Sequence, residues 1–454
     1  MFQSVNPHNG EVIAEYTGMD PHEVMSVIND VDDAFHQFKK TDFEYRKNLL
    51  KRVSDILRMQ KSEYARLMAL EMGKPILQGM AEAEKCAWVC DYYAENAESF
   101  LKDEIIATDA QKSYVTYQPL GVILAIMPWN FPFWQVFRFA APTLMAGNGV
   151  LLKHSPNVTG CALEIEKIFS DAGFPKNIFR TIVTEILNVE QIIRNKKIAA
   201  VTLTGSTRAG KSVASIAGSE LKKCVLELGG SDPYIIMEDA DITKAVQSCL
   251  IGRMLNTGQS CIAAKRIIIF ENVYENFKEL FVSEVAKLKM GDPLDETNYI
   301  GAIARNDLRE TLHSQVQKTL DLGATLLTGG FMPEGPGFYY PPTILENIPE
   351  NSPAFYEEVF GPVALLFKVK SIDEALTLAN SSDYGLGSAI FTDDISQGET
   401  IAKTMLDAGS SFVNSFVKSD PRLPFGGIKQ SGHGRELSAA GIKEFVNVKT
   451  VFVA

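Results

Sequence analysis

From about residue 149 to about residue 412 the chain alternates short apolar runs with longer stretches of helical periodicity. No other feature constrains the fold as strongly. Gly149–Lys153 precedes a helix at about 159–172, Ile178–Val183 one at about 188–195, and Ala199–Thr204 one at about 209–217. A second series has strands near Tyr234–Met237, Ala264–Ile269, Ala364–Val369 and Ser388–Phe391. Strands that take turns with helices pair in parallel, because each crossover returns the chain to the same end of the sheet. The expected class is therefore α/β, with doubly wound sheets.

The first hundred residues read as mostly helical. Asp20–Pro21 supplies a capping carboxylate and a first-turn proline, and Val24, Val27, Ile28, Val31, Ala34, Phe35 and Phe38 follow at helical spacing. Further helices are expected at about 43–60 and about 62–104, the latter broken at Gly73–Lys74–Pro75. Tyr114–Pro119 and Val122–Met127, separated by Leu120 and Gly121, read as a hairpin. Phe445–Val453 reads as a terminal strand, whose unpaired edge must be covered by its own chain or by another copy.

Composition limits the partners. Lys+Arg 44 against Asp+Glu 56 leaves a net charge of −12, which argues against nucleic acid or an anionic membrane as the ligand. The 46% apolar content excludes disorder, and the longest apolar run, Val122–Met127, falls well short of the ~20 residues a membrane helix needs. Six sparse cysteines lack zinc-ligand spacing, and His154, His313 and His433 form no ligand group, so no metal is expected. The N-terminus lacks the pattern of a secretory signal, and free thiols in a cytoplasmic protein are the expectation.

Three segments carry chemistry. Gly205–Ser212 fits G-x-x-x-x-G-K-[ST], which would make Lys211 a phosphate ligand and Ser212 a magnesium ligand in a P-loop NTPase. No apolar strand ends in a convincing magnesium-binding aspartate, so a phosphate-holding turn for some nucleotide is the more economical reading. Cys261, within Gly258–Gln259–Ser260–Cys261, is a nucleophile if a base or local charge gives it thiolate character, and inert packing otherwise. Glu227, ending an apolar run before Gly229–Gly230, is a general base if burial raises its pKa, and a solvated or capping residue otherwise. Pro128–Trp129–Asn130–Phe131–Pro132 is a rigid turn that either packs a corner or aims an amide at an oxyanion.

Together with Lys153, Glu358–Val363 and Pro424–Glu436, in this order and spacing, these segments resemble the aldehyde dehydrogenase superfamily over essentially the whole chain. The resemblance implies a Rossmann-type cofactor domain at 1–108 and 127–226 and an α/β catalytic domain at 227–414. It also implies a small β oligomerisation arm from 109–126 and 415–454, in a homodimer or homotetramer. It implies oxidation of an aldehyde to an acid, with NAD or NADP as cofactor. Cys261 would be the nucleophile, Asn130 an oxyanion donor and Glu227 the base for water. The dinucleotide would be held by Trp129, Lys153, Ser155, Gly205, Ser206, Gly210, Leu228, Glu358 and Phe360. Lys211 would then match the P-loop pattern by accident.

Two departures bear on specificity. Many NAD-preferring relatives carry a glutamate three residues after the lysine; here Pro156 stands there, so nothing repels a 2′-phosphate. Arg138 and Ser419 are similar to residues that hold the distal carboxylate in succinate semialdehyde dehydrogenases, and Trp134 would wall the channel. The second arginine of that pattern is replaced by Leu255, and Arg253 lies two residues further back. Succinate semialdehyde is the expected substrate; glutarate semialdehyde or a range of aliphatic aldehydes is the alternative, and an internal salt bridge the alternative role for Arg138.

Overall fold

Strands buried on both faces must be apolar along their length, and Val122–Met127, Gly149–His154 and Ile198–Thr204 are almost entirely buried. The computed structural model, which describes residues 1–454, places them inside a six-stranded sheet. Its order is Gly432–His433, Lys223–Glu227, Ile198–Thr204, Val122–Met127, Gly149–His154, Phe179–Thr181. All pairs are parallel except the first. From Val122–Met127 the chain winds outward to Phe179–Thr181, then returns to the other side with Ile198–Thr204. That reversal opens a crevice at the carboxyl ends of the two central strands, the usual ligand position in such sheets.

A second sheet of seven strands runs Thr325–Thr328, Thr343–Glu346, Val363–Val369, Ala264–Phe270, Asp232–Ile236, Gly387–Phe391, Ser410–Val413, parallel except at its first pair. Glu227 ends a strand of the first sheet, and Asp232 begins one of the second. The site described below therefore lies where the two sheets meet end to end.

The hairpin expectation is overturned. Val122–Met127 pairs with Gly149–His154 and Ile198–Thr204, whereas Lys112–Pro119 pairs with Glu104–Ile105 and Val446–Val453. An apolar strand needs cover on both faces, which a partly exposed ribbon cannot give. Residues 122–126 consequently belong to the six-stranded sheet, and the strand paired with the terminal one ends at Pro119. The terminal strand is paired along one side within its own chain, from Val446 opposite Pro119 to Val453 opposite Lys112, and lies at the edge of its sheet.

The helix at Pro21–Phe38 starts with a full capping box: the Asp20 carboxylate accepts from the N–H groups of His22 and Glu23, and that of Glu23 from the N–H of Asp20. The next long helical stretch divides into Lys61–Met72, ended by left-handed Gly73, and Ile76–Phe100, which follows Pro75. Within the supposedly helical first hundred residues the structure also has a hairpin, Phe2–Val5 with Val12–Tyr16. Part of its anchor is the buried Glu71 carboxylate, which accepts from Ser4 Oγ and from the Gly160 and Cys161 N–H groups at the start of helix Thr159–Asp171. No helix is long and apolar enough to cross a membrane.

Candidate active site

The segment leading to Cys261 is built on strained backbone. Asn256, Thr257 and Gly258 lie in succession at φ of 57°, 56° and 70°. A β-branched threonine there is unfavourable by roughly 1–3 kcal/mol unless its surroundings impose it. They do. Asn256 Nδ2 donates to the Asn130 carbonyl at 2.7 Å and to the Gln259 carbonyl at 3.1 Å, and Thr257 Oγ1 accepts from the Gly301 N–H at 2.9 Å. The wholly buried Arg253 donates to the carbonyls of Val363, Val359 and Gly361. It is a backbone clasp, and does not supply the second arginine of the semialdehyde pattern.

Cys261, half-buried, follows this turn and lines a cavity of about 390 Å³. Burial pushes its thiol up to about 12, against the opposing pull of Lys265 and Arg138. Lys265 Nζ donates to the carbonyls of Ser260 and Cys261 at 3.0 and 2.7 Å, and to Glu358 Oε1 at 2.9 Å, tying the nucleophile loop to Glu358. Asn130 Nδ2 donates to the Gln259 carbonyl at 3.1 Å. One of its two amide hydrogens is thereby used, and the amide is fixed against the same loop. The Cys261 N–H makes no hydrogen bond within the protein.

Glu227, only 2% exposed, has both carboxylate oxygens without a hydrogen-bond partner. Burial first, then the neighbouring Glu436, pushes it up to about 8, while Arg138 and Arg435 pull the other way. A methyl group on Gly426 would lie 2.7 Å from Glu227 Oε1, so glycine keeps that face of the carboxylate clear.

Arg138, Trp134, Ser419 and Cys261 all line the one cavity. Arg138 is not a free fork, however. Its Nε forms an ion pair with Glu436, both side chains being almost fully buried, its Nη2 donates to Thr204 Oγ1 at 3.4 Å, and its guanidinium lies 4.7 Å from the Phe425 ring centre. The internal salt bridge is therefore present. Glu436 is held above the usual carboxylate range by burial, with Arg138 opposing.

At the crevice of the first sheet, Gly205 and Ser206 lead into helix Thr207–Ser219, and Ser206 Oγ caps it by accepting from the Ala209 N–H at 3.3 Å. A Cβ on Gly210 would come within 2.6 Å of Leu228, so this glycine sets the helix-to-strand spacing. Lys211 is exposed and donates to Gln430 Oε1 at 3.3 Å, away from the turn. Lys153 Nζ has no carboxylate partner and reaches only the His154 carbonyl, at 3.4 Å. It lines a small pocket with Pro156 and Thr184, and Ser155 Oγ beside it donates to Asn157 Oδ1 at 2.7 Å. Glu358 also accepts from the Gly230 N–H at 3.1 Å, a Cβ on Gly229 would overlap its carboxylate, and the Phe360 ring stands edge-on to Trp129 at 5.8 Å.

A thiol, an amide fixed against its loop and a buried carboxylate whose charge acts on the thiol thus belong to one neighbourhood, and the backbone of that carboxylate residue accepts from the Gly205 N–H. The sequence model of the aldehyde dehydrogenase family matches residues 1–451. The chain belongs to this family. A succinate semialdehyde dehydrogenase of Escherichia coli (strain K12), named for NAD(P)+, is 47% identical over 449 residues, covering 99% of this chain and 97% of that protein. The Synechocystis sp. protein named probable succinate-semialdehyde dehydrogenase, NADP(+), is 47% identical over 451 residues, covering 99% of both chains. The structure of succinic semialdehyde dehydrogenase from Streptococcus pyogenes in complex with NADP+ superposes with a TM-score of 0.97 at 36% identity, covering 100% of each chain.

In this aldehyde dehydrogenase the NTPase reading of Gly205–Ser212 is overturned, and the exposed positions of Lys211 and Ser212 agree. The crevice fits a dinucleotide on its own geometry. The Gly205–Ser206 turn opens a helix N-terminus, and Lys153 is a buried cation with no ion-pair partner near the carboxyl end of a strand in the same sheet. Lys85, Lys265 and Glu436 were missed as site residues. A lysine inside the buried strand Ala264–Phe270 was the only signal for any of them visible in the sequence.

Proposed function

We propose that this chain oxidises succinate semialdehyde to succinate, with Cys261 as nucleophile, Asn130 as oxyanion donor and Glu227 as base. The observation that carries the reading is that Cys261 shares one cavity with Trp134, Arg138 and Ser419. The reacting thiol and a donor-rich wall for a carboxylate thus face the same space. The names of the relatives support the same substrate.

The Cys261 thiol gives up its proton to solvent and its sulfur attacks the aldehyde carbon, forming the C–S bond of a thiohemiacetal whose oxygen takes the negative charge. Its oxygen is met by the second hydrogen of Asn130 Nδ2 and by the free Cys261 N–H; losing one such donor typically costs about 10²–10³ in rate. Lys153, Ser155, Gly205, Ser206, Gly210, Leu228, Trp129, Glu358 and Phe360 would hold NAD or NADP, which when bound would accept the hydride from the carbon attached to Cys261. The acyl group then remains on Cys261 as a thioester. Glu227, ionised, takes a proton from water as that water attacks the thioester carbonyl, and as the C–S bond breaks the proton passes from Glu227 to the leaving sulfur, releasing the acid and restoring the thiol. Its lack of any hydrogen-bond partner leaves both oxygens available for that water.

Pro156 at the adenosine end carries no charge to repel a 2′-phosphate, which supports use of NADP alongside NAD. Exposed Val448, Phe452 and Val453 on the edge strand support a homodimer or homotetramer. Six free thiols support a cytoplasmic setting. The test is initial rates at 340 nm with succinate semialdehyde and with butanal, each with NAD and NADP. A kcat/KM ratio of about 10² or more for the semialdehyde, about 2.7 kcal/mol, is expected, and a ratio near one would sink the substrate assignment.

A further inference from the structure

The cation available to a substrate carboxylate is not the one the sequence singles out. Arg138 spends its charge on Glu436, Lys74, which lines the cavity elsewhere, is paired with Glu82, and Lys418, also in the lining, is exposed to solvent with its ammonium over the Phe416 ring. Lys85, on helix Ile76–Phe100, lines the same cavity and has no carboxylate within ion-pair distance. Its ammonium lies 4.2 Å from the Trp134 ring centre and donates to Ser419 Oγ at 2.8 Å.

The donors at this end of the cavity outnumber the acceptors. An ammonium has three hydrogens, and Lys85 places one of them on Ser419. The Ser419 hydroxyl accepts that hydrogen, and its own hydrogen has no acceptor in the protein. A partly desolvated cation beside an idle hydroxyl is incomplete without an anion. Burial, with Arg138 adding like-charge repulsion, pushes Lys85 down to about 8. An entering carboxylate would offset both by pairing with the ammonium.

We propose that Lys85, with Ser419, is the anchor for the carboxylate at the far end of the substrate, and that Arg138 is a positioning residue held by Glu436. This rests on the substrate reading above. It assigns specificity to a residue whose functional partner lies 334 positions away in the chain.

The test compares kcat/KM for succinate semialdehyde and butanal in the wild type, Lys85→Met and Lys85→Arg. The semialdehyde-to-butanal ratio is expected to fall by roughly 10- to 10²-fold in Lys85→Met, mainly through KM, and to recover in part in Lys85→Arg. Inhibition by succinate, competitive with the aldehyde, is expected to weaken by a similar factor. A selective wild type whose ratio survives Lys85→Met would overturn the anchor while leaving the substrate reading intact. Equal losses on both aldehydes would also overturn it, by exposing a packing role. A wild type with no selectivity would overturn both together. Should Lys85→Met fail to fold, Ser419→Ala gives the same readout, and an unchanged ratio there counts against the proposal.

Discussion

If Glu227 is the base that activates water, the steady-state rate must follow its ionised fraction. Burial beside Glu436 pushes this carboxyl up to about 8, so the sign is that activity grows with pH. A group titrating near 8 is about 1% ionised at pH 6, about 9% at pH 7 and 50% at pH 8. Where hydrolysis of the thioester limits turnover, kcat should rise about tenfold from pH 6 to 7, about fivefold from 7 to 8, and less than twofold from 8 to 9. Stopped-flow absorbance at 340 nm separates the two halves of the reaction. The burst reports attack by Cys261, whose thiol lies up at about 12, so the burst rate should keep climbing past pH 9 while the steady state levels off. Glu227→Gln should keep the burst and lose roughly 10²–10⁴ in the steady state, with the ramp gone. Glu436→Gln removes the neighbouring like charge and frees Arg138 to face Glu227, so its ramp should move to lower pH. A steady-state rate flat between pH 6 and 8, or the same ramp in Glu227→Gln, would refute the assignment.

Two further outcomes are expected. Arg138→Ala strands the buried Glu436 carboxylate, so the protein should lose about 3–5 kcal/mol and its apparent Tm should drop whether or not substrate is present; an unchanged Tm would show that the ion pair is not structural. Pro156→Glu puts a carboxylate beside Lys153, and the NADP-to-NAD ratio of kcat/KM should fall about tenfold or more; an unaltered ratio would place the 2′-position elsewhere.

Much of the backbone was legible because its causes are local. The Asp20 cap, the break at Gly73–Pro75 and the apolar strands each depend on neighbours within a few residues, and the elements fall close to where the pattern puts them. The misread hairpin shows the limit. Two β-rich runs joined by Leu120 and Gly121 look like partners, yet the deciding quantity is whether both faces of Val122–Met127 can be covered, and its covering strands come later in the chain. The hairpin at Phe2–Tyr16 was invisible for the same reason, since its anchor includes Glu71.

The candidate site divides in the same way. Cys261, Asn130 and Glu227 stand in segments whose order and spacing carry the resemblance to the family, and their proposed roles come with that resemblance. The charges do not. Whether Arg138 is free or spent depends on Glu436, and whether Lys85 is a surface lysine or an unpaired cation in the cavity depends on Ser419 and Trp134. Local sequence therefore determined the family and the two wound sheets, and it marked Cys261, Asn130 and Glu227 as candidates. Only the tertiary structure decided which charges cancel one another, because Coulomb pairing acts through space between residues hundreds of positions apart in the chain.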